Sequence, residues 1–235
     1  MIARVVLPLV LALAGIGHSA PPETTLIPSG QLDQPGKKQL AAEARALSTR
    51  AVAAFQKGDL AAARKDFQKV LELAPDNVPT IINLGLIAHR QREFAEAERL
   101  LNKAVKIAPE TGAAWLVLGV VRYDSNAFDG ALAALAQAAW LEPKDARAHQ
   151  YLGATLGAKG WYSGAEDEMR KAIELQPEYA DAHFNLALLY LQRVPPALEL
   201  ARRHYYKARE LGAAADLEVE KKLAAATDPP DGASP

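Results

Sequence analysis

The chain has no cysteine, which excludes a disulfide framework, a cysteine nucleophile and a lipid-modified N-terminal cysteine. Its stability must come from packing alone. An excess of one charge is missing too: 27 Lys and Arg face 28 Asp and Glu, so no polybasic field exists to hold nucleic acid or anionic lipid. Neither the Gly-x-Ser-x-Gly turn of a serine nucleophile nor a Gly-x-x-x-x-Gly-Lys phosphate loop occurs. Asn77, Asn83, Asn102, Asn126 and Asn185 all lack a hydroxyl residue two positions on, so there is no N-glycosylation acceptor. With the missing cysteines, this favours a bacterial periplasm over a eukaryotic secretory route.

What is present begins with a leader-like N-terminus. Arg4 precedes an apolar run from Val5 to Ile16, roughly a dozen residues and too short to span a bilayer. Gly17, Ser19 and Ala20 then supply small residues ahead of Pro21 and Pro22. This is the layout of a cleaved signal peptide, residues 1–20, with the cut after Ala20 and no stable membrane insertion afterwards. Pro8 and the Pro-rich stretch behind it disfavour a packed helix instead. Cleavage removes only Arg4 among charged residues, leaving 26 basic against 28 acidic groups. A periplasmic or secreted location is expected.

Pro75, Pro109, Pro143 and Pro177 lie 34 residues apart and close the segments LELAP, VKIAP, AWLEP and IELQP. A fixed period of this length marks units that bury their apolar faces on their neighbours. Proline ends the second helix of each unit because it cannot continue the hydrogen-bond ladder. A second turn falls at Gly58-Asp59, Gln91-Arg92-Glu93, Asn126 and Gly160. Small residues recur at Gly85, Gly119, Gly153 and Ala187 in the first helices, and at Ala63, Ala97, Ala131 and Ala165 in the second. Phe67, Leu101, Leu135 and Met169 place a bulky core residue one turn after the latter set.

This pattern resembles the tetratricopeptide repeat. The unit at 112–145 matches best, with Trp115, Leu118, Gly119, Ala131, Leu135, Ala138 and Pro143, departing only where Arg122 replaces an aromatic. The unit at 78–111 has Ile81 for the aromatic but keeps Leu84, Gly85, Ala97, Leu101, Ala104 and Pro109. The unit at 146–179 carries His149, Leu152, Gly153, Ala165, Met169, Ala172 and Pro177. The terminal units, 44–77 and 180–213, depart further: Arg50 and Ala51 replace Leu-Gly, and Val194-Pro195-Pro196 shifts the last unit's second helix by two residues.

The resemblance implies an all-α fold, a right-handed superhelical α-solenoid of about five helix-turn-helix repeats plus a C-terminal capping helix. The repeat domain is expected over 37–226. Its cap at 213–226 should point Leu217 and Leu223 inward, with Glu218, Glu220, Lys221 and Lys222 outward. Residues 21–36 and 227–235 are expected to be flexible.

Chemistry is sparse. His149 and His183 occupy the same place in consecutive units, but neighbouring helices about 10 Å apart are too far for two imidazoles to share a metal without further ligands. Both are read as filling the repeat's semi-buried aromatic position, and no catalytic residue, metal or cofactor is implied. Glu166 with Arg170, and Glu96 with Arg99, read as solvated helix pairs. Core packing is the expected role for most of Trp115, Trp140, Trp161 and Tyr162.

By the resemblance, first helices line the concave face. The places expected to meet a ligand are Ile82, Leu86 and His89; Leu116, Val120 and Tyr123; Gln150, Ala154 and Gly157; Phe184, Leu188 and Leu191. Gln150, Ala154 and Gly157 are expected to form a pocket between Tyr123 and Phe184. The family's Lys and Asn clamp for a peptide carboxylate has no counterpart, since Ser48 and Val52 stand there. Asn83 and Asn185 match a common family asparagine that can hold peptide backbone. The expected function is therefore a non-enzymatic scaffold or adaptor of the bacterial envelope, holding a peptide or partner helix in an apolar groove. The alternative is a self-associating structural subunit, a homo-oligomer whose groove is covered by a second copy or by the chain's own tail. A third reading is a metal carrier or enzyme using His149 and His183. The chain isolated from its native host should begin near Pro21 by intact mass, and a product retaining Met1 would contradict this.

Overall fold

The computed structural model describes residues 35–224, with side chains from residue 41 onward. The expected signal peptide, most of segment 21–36 and the tail after residue 224 lie outside the described residues. Eleven helices and no strand make up the described residues, in keeping with the all-α expectation. They are α1 (Pro35–Gln56), α2 (Leu60–Leu73), α3 (Val78–Arg90), α4 (Phe94–Ile107), α5 (Gly112–Asp124), α6 (Phe128–Leu141), α7 (Ala146–Ala158), α8 (Tyr162–Leu175), α9 (Ala180–Gln192), α10 (Leu198–Glu210) and α11 (Leu217–Ala224). Residues 35–152 form one compact unit and 153–224 a second, the boundary falling within α7. In the first unit α1 pairs with α2, α3 with α4 and α5 with α6, while α2 packs on α3 and α4 on α5. In the second, α9 pairs with α10 and packs on α8, and α11 lies on α10.

Two kinds of turn set this order. Within hairpins a left-handed residue ends the first helix: Gly58, Arg92, Asn126 and Gly160 have φ of 80°, 60°, 62° and 79°. Each is followed by an N–H that reaches back to a helix carbonyl, from Asp59 to Ala54, Glu93 to Ala88, Ala127 to Arg122 and Trp161 to Leu156, at 2.8 to 2.9 Å. That is the six-to-one bond of a Schellman cap. Between hairpins the proline occupies the second place of a β-turn. The N–H groups of Asn77, Thr111, Asp145 and Tyr179 close these turns onto Ala74, Ala108, Glu142 and Gln176. The α9–α10 turn breaks the rule: the Ala197 N–H closes onto the Tyr190 carbonyl at 3.0 Å, and α10 starts 18 residues after α9 where α4, α6 and α8 each start 16 after their partners.

Helix faces follow from position. Second helices bury one stripe, as in α4 with Ala97, Leu100, Leu101, Ala104 and Val105. First helices have neighbours on several sides, and α3 buries every residue from Thr80 to Ala88. Three of the hairpins close tightly because the first helix offers glycine, and the first and last use the buried Ala51 and Ala187 at that place. A Cβ added at Gly85 would lie 2.8 Å from Leu101 Cγ, and one at Gly119 would lie 2.7 Å from Leu135 Cδ2. At Gly153 it would meet the Ala165 carbonyl at 3.0 Å and Met169 Cε at 3.2 Å.

Arg122 explains the missing aromatic of its unit. Its guanidinium donates to Glu98 at 2.8 Å and, at 3.3 Å each, to Asn102 and the Gly130 carbonyl, so it ties α5 to α4 and α6.

Three expectations are corrected. The cap helix starts at Leu217, and Leu217 is 69% exposed while Val219 and Leu223 are buried. The Asp216 carboxylate accepts from the N–H groups of Glu218 and Val219, which fixes the helix phase and puts the inward stripe at 219 and 223. Trp140, Trp161 and Tyr162 are exposed, Trp140 by 75%, because they sit at a helix end and a turn, where Trp161 meets the Lys159 ammonium 5.1 Å from its ring centroid. Glu166 is only 5% exposed: Arg193 donates to it at 2.8 Å and Arg170 at 3.3 Å. Glu96 and Arg99 do form the surface pair expected of them, at 2.7 Å.

Gly119→Leu should destabilise the chain by about 1–3 kcal/mol through overpacking against Leu135, with partial recovery on adding Leu135→Ala. Denaturant melts decide it, and an unchanged midpoint would mean that no close contact exists there.

Candidate functional site

The repeated ring position has a polar task. Trp115 Nε1 donates to the Pro109 carbonyl at 2.7 Å, and His149 Nε2 and His183 Nε2 stand 3.0 and 3.1 Å from the carbonyls of Pro143 and Pro177. A carbonyl only accepts, so Nε2 carries the hydrogen in both histidines. Where Ile81 has no ring N–H, the Lys103 ammonium reaches the Pro75 carbonyl instead, at 2.8 Å. The four inter-hairpin prolines thus have their carbonyls satisfied by side chains. His149 and His183 belong to different units, each bound to its own turn. The second ring nitrogen of His183 faces Nδ1 of His204 on α10 at 2.9 Å. Among the described residues no group of three His, Cys, Asp or Glu could hold a metal ion.

The residues expected to line a groove divide between core and surface. Ile82 and Leu86 lie in the core cluster of the first unit, and Leu116, Val120, Tyr123 and Gln150 are buried as well. The Tyr123 ring packs against Phe128 and Tyr151, and burial pushes its hydroxyl up to about 12. His89 Nε2 pairs with the Asp124 carboxylate at 2.6 Å. A first helix enclosed by neighbours has little side chain left for a ligand, which is why an apolar groove position here is mostly core. In the second unit Phe184 is half-buried with its ring 6.1 Å from Tyr205, and Gly157, Leu188 and Leu191 are also half-buried.

A cleft opens in the second unit. Gly153, Ala154 and Gly157 of α7, Met169 of α8, and Asn185, Leu188, Leu189 and Gln192 of α9 line this cleft, whose free core is about 20 Å³, room for about one water. Three of the expected residues, Ala154, Gly157 and Leu188, are brought together here; Gln150, Tyr123 and Phe184 are not among the lining residues. The small α7 residues create the space. At its wall Asn185 is 4% exposed, and neither its amide nitrogen nor its oxygen has a hydrogen-bond partner. A buried unpaired amide group costs about 1–3 kcal/mol, so a ligand offering one donor and one acceptor gains by meeting it.

Helical hairpins with glycine contacts and proline turns define a helical-repeat protein, and its second unit carries a small, mostly apolar cleft. Tetratricopeptide repeat models match residues 54–119 and 88–156, 146–179 and 168–210. The repeats from residue 54 to residue 210 belong to the tetratricopeptide repeat family. No curated protein matches the sequence significantly. Among solved structures, MamA from Desulfovibrio magneticus RS-1, from its residue 41 to the end, superposes with a TM-score of 0.63 at 20% identity, covering 72% of this chain and 94% of that one. A crystal structure of MamA gives 0.59 at 26% identity over 74% and 96%. YrrB, described as a TPR protein with an unusual peptide-binding site, gives 0.59 at 21% identity over 81% and 95%. These likenesses support the α-solenoid fold class.

Sequence pattern pointed to Asn185 as a backbone holder but not to its lack of a partner. His204 was missed because the insertion at 194–196 hides the register. Counting through it places His204 where Leu100 and Ala134 are buried, a core-facing slot.

Trp115→Phe should lower stability by about 0.5–1.5 kcal/mol, the net worth of one hydrogen bond, because it keeps the ring and removes only the N–H. Chemical denaturation of the full chain measures it. Equal stability would mean that water replaces the indole without loss.

Proposed function

We propose that the chain is a non-enzymatic interaction scaffold that holds an extended, uncharged peptide segment of a partner protein over the α7–α9 cleft, anchored by Asn185. The observation that carries this is the buried Asn185 amide with both polar atoms unpaired at the wall of a cleft. A helix has its main-chain groups engaged internally and would leave that amide unmet, whereas an extended segment presents a free N–H and C=O. The lining contains no charged residue, so a charged group would lose its water without compensation. The repeat family and the peptide-binding description of YrrB agree with this reading. The leader-like residues 1–20 support a location outside the cytoplasm of a bacterium.

Asn185→Leu separates binding from folding. Replacing an unpaired buried amide by an apolar group of similar size should leave the melting temperature unchanged or raised. Peptides selected from a displayed library on the wild-type chain should bind the variant at least about tenfold more weakly, one hydrogen-bonded anchor being worth about 1.4 kcal/mol. Gln192→Trp at the cleft mouth should also weaken them, while Lys171→Glu on the exposed face of α8 should not. Undiminished binding to Asn185→Leu would overturn the proposal.

A further inference from the structure

His183 on α9 and His204 on α10 meet edge to edge, with ring centroids 5.1 Å apart, planes at 29° and Nδ1 atoms 2.9 Å apart. His183 Nε2 is committed to the Pro177 carbonyl at 3.1 Å and must carry hydrogen. Its Nδ1 is therefore a lone pair in the neutral ring, and the short contact is a hydrogen bond only if His204 Nδ1 donates. One tautomer of each ring fits: Nε2–H on His183, Nδ1–H on His204. A first added proton can sit on His204 Nε2 and leave the contact intact. A second can sit only on His183 Nδ1, where two N–H groups would point at each other. Binding protons therefore turns the tie between α9 and α10 into a repulsion.

No acid is among the groups acting on the rings. Lys207 and Arg203 of α10 and Arg170 of α8 are cationic, and the Pro177 carbonyl favours the charged form at His183. Tyr190 of α9, whose ring lies 5.7 Å from His204, accepts from Arg170 through its hydroxyl at 3.0 Å. Acids on these helices pair with other groups: Glu166 of α8 with Arg170 and Arg193, Glu210 of α10 with Lys207, and Glu220 of α11 with the Tyr205 hydroxyl.

We propose that the His183–His204 pair is a proton-operated joint, holding the α9–α10 hairpin closed while both rings are neutral and loosening it as they bind protons. Burial first, then His183, Arg203 and Arg170, lowers His204 from 6.5 to about 4; burial chiefly lowers His183 too. Both rings thus bind protons more readily once the hairpin opens. The stabilisation is fully present above about 6.5, the ordinary histidine value, and is lost as pH falls toward about 4. The joint stands whether or not the cleft takes a peptide.

Hydrogen exchange of the full chain between pH 7.5 and 5 tests it. Protection of α9 and α10 amides, corrected for intrinsic rates, should fall below about 6.5 by up to about tenfold per pH unit for each linked proton, about a hundredfold when both rings are linked. α3–α6 should keep theirs. His204→Phe keeps a ring at this position without a titrating nitrogen and should reduce the dependence to that of His183 alone. Nitrogen NMR of the histidines in the unmodified chain needs no variant: at pH 7.5 it should show Nε2–H on His183 and Nδ1–H on His204, both titrating below 6.5. Histidines that titrate at or above 6.5, or α9–α10 protection that does not change with pH, would overturn the joint.

Discussion

The contact of a small first-helix residue, glycine in three hairpins and alanine in the first and last, with a bulky second-helix residue is what the hairpins depend on. With Gly85 over Leu101, Gly119 over Leu135 and Gly153 over Met169, backbones come close enough for the side chains around them to interlock. That closeness lets each turn be short, and short turns of constant length produce the 34-residue period. It also encloses the first helices. α3 and α5 are apolar nearly all round because almost every face has a neighbour, so the positions a groove would use are largely spent on the core.

Tight packing raises the stakes for every polar group left inside. The proline carbonyls, released from the helix ladder, are met by Trp115, His149, His183 and Lys103, three different chemistries at one recurring need. Arg122 and Glu166 take part in similar ties between helices. Against that thoroughness the unpaired Asn185 amide stands out, and it borders the cleft that the small residues of α7 leave open. Where a fold satisfies its polar atoms so consistently, an exception at an opening is read as a group awaiting a partner.

The two histidine ties show how one residue type can be structural in one unit and responsive in the next. His149 meets its proline carbonyl as Trp115 does. His183 makes the same bond, but an insertion two residues long lets α10 bring His204 against its other nitrogen. Metal binding, considered for His149 and His183 from their spacing, is opposed at His183 and His204 by Arg170, Arg203 and Lys207.

The helical class, the repeat and its core glycines were readable in the sequence because each rests on local rules: proline cannot extend a helix, glycine and asparagine accept positive φ, and a 34-residue period repeats the same contacts. Arg92, a left-handed residue without glycine's freedom, was placed by period alone. What the sequence could not decide was how much of each first helix stays at the surface. Ile82 and Leu86 were expected to face a ligand and lie in the core, while Trp140 was expected to pack and is exposed. The inward face of the cap helix turned on the Asp216 cap, and the pairing of His204 on a register that the 194–196 insertion displaced. Burial and partnership are properties of neighbours distant in sequence. A periodic pattern tells which side chains share a face, but only the packed helices determine whether that face meets water, another helix or a ligand.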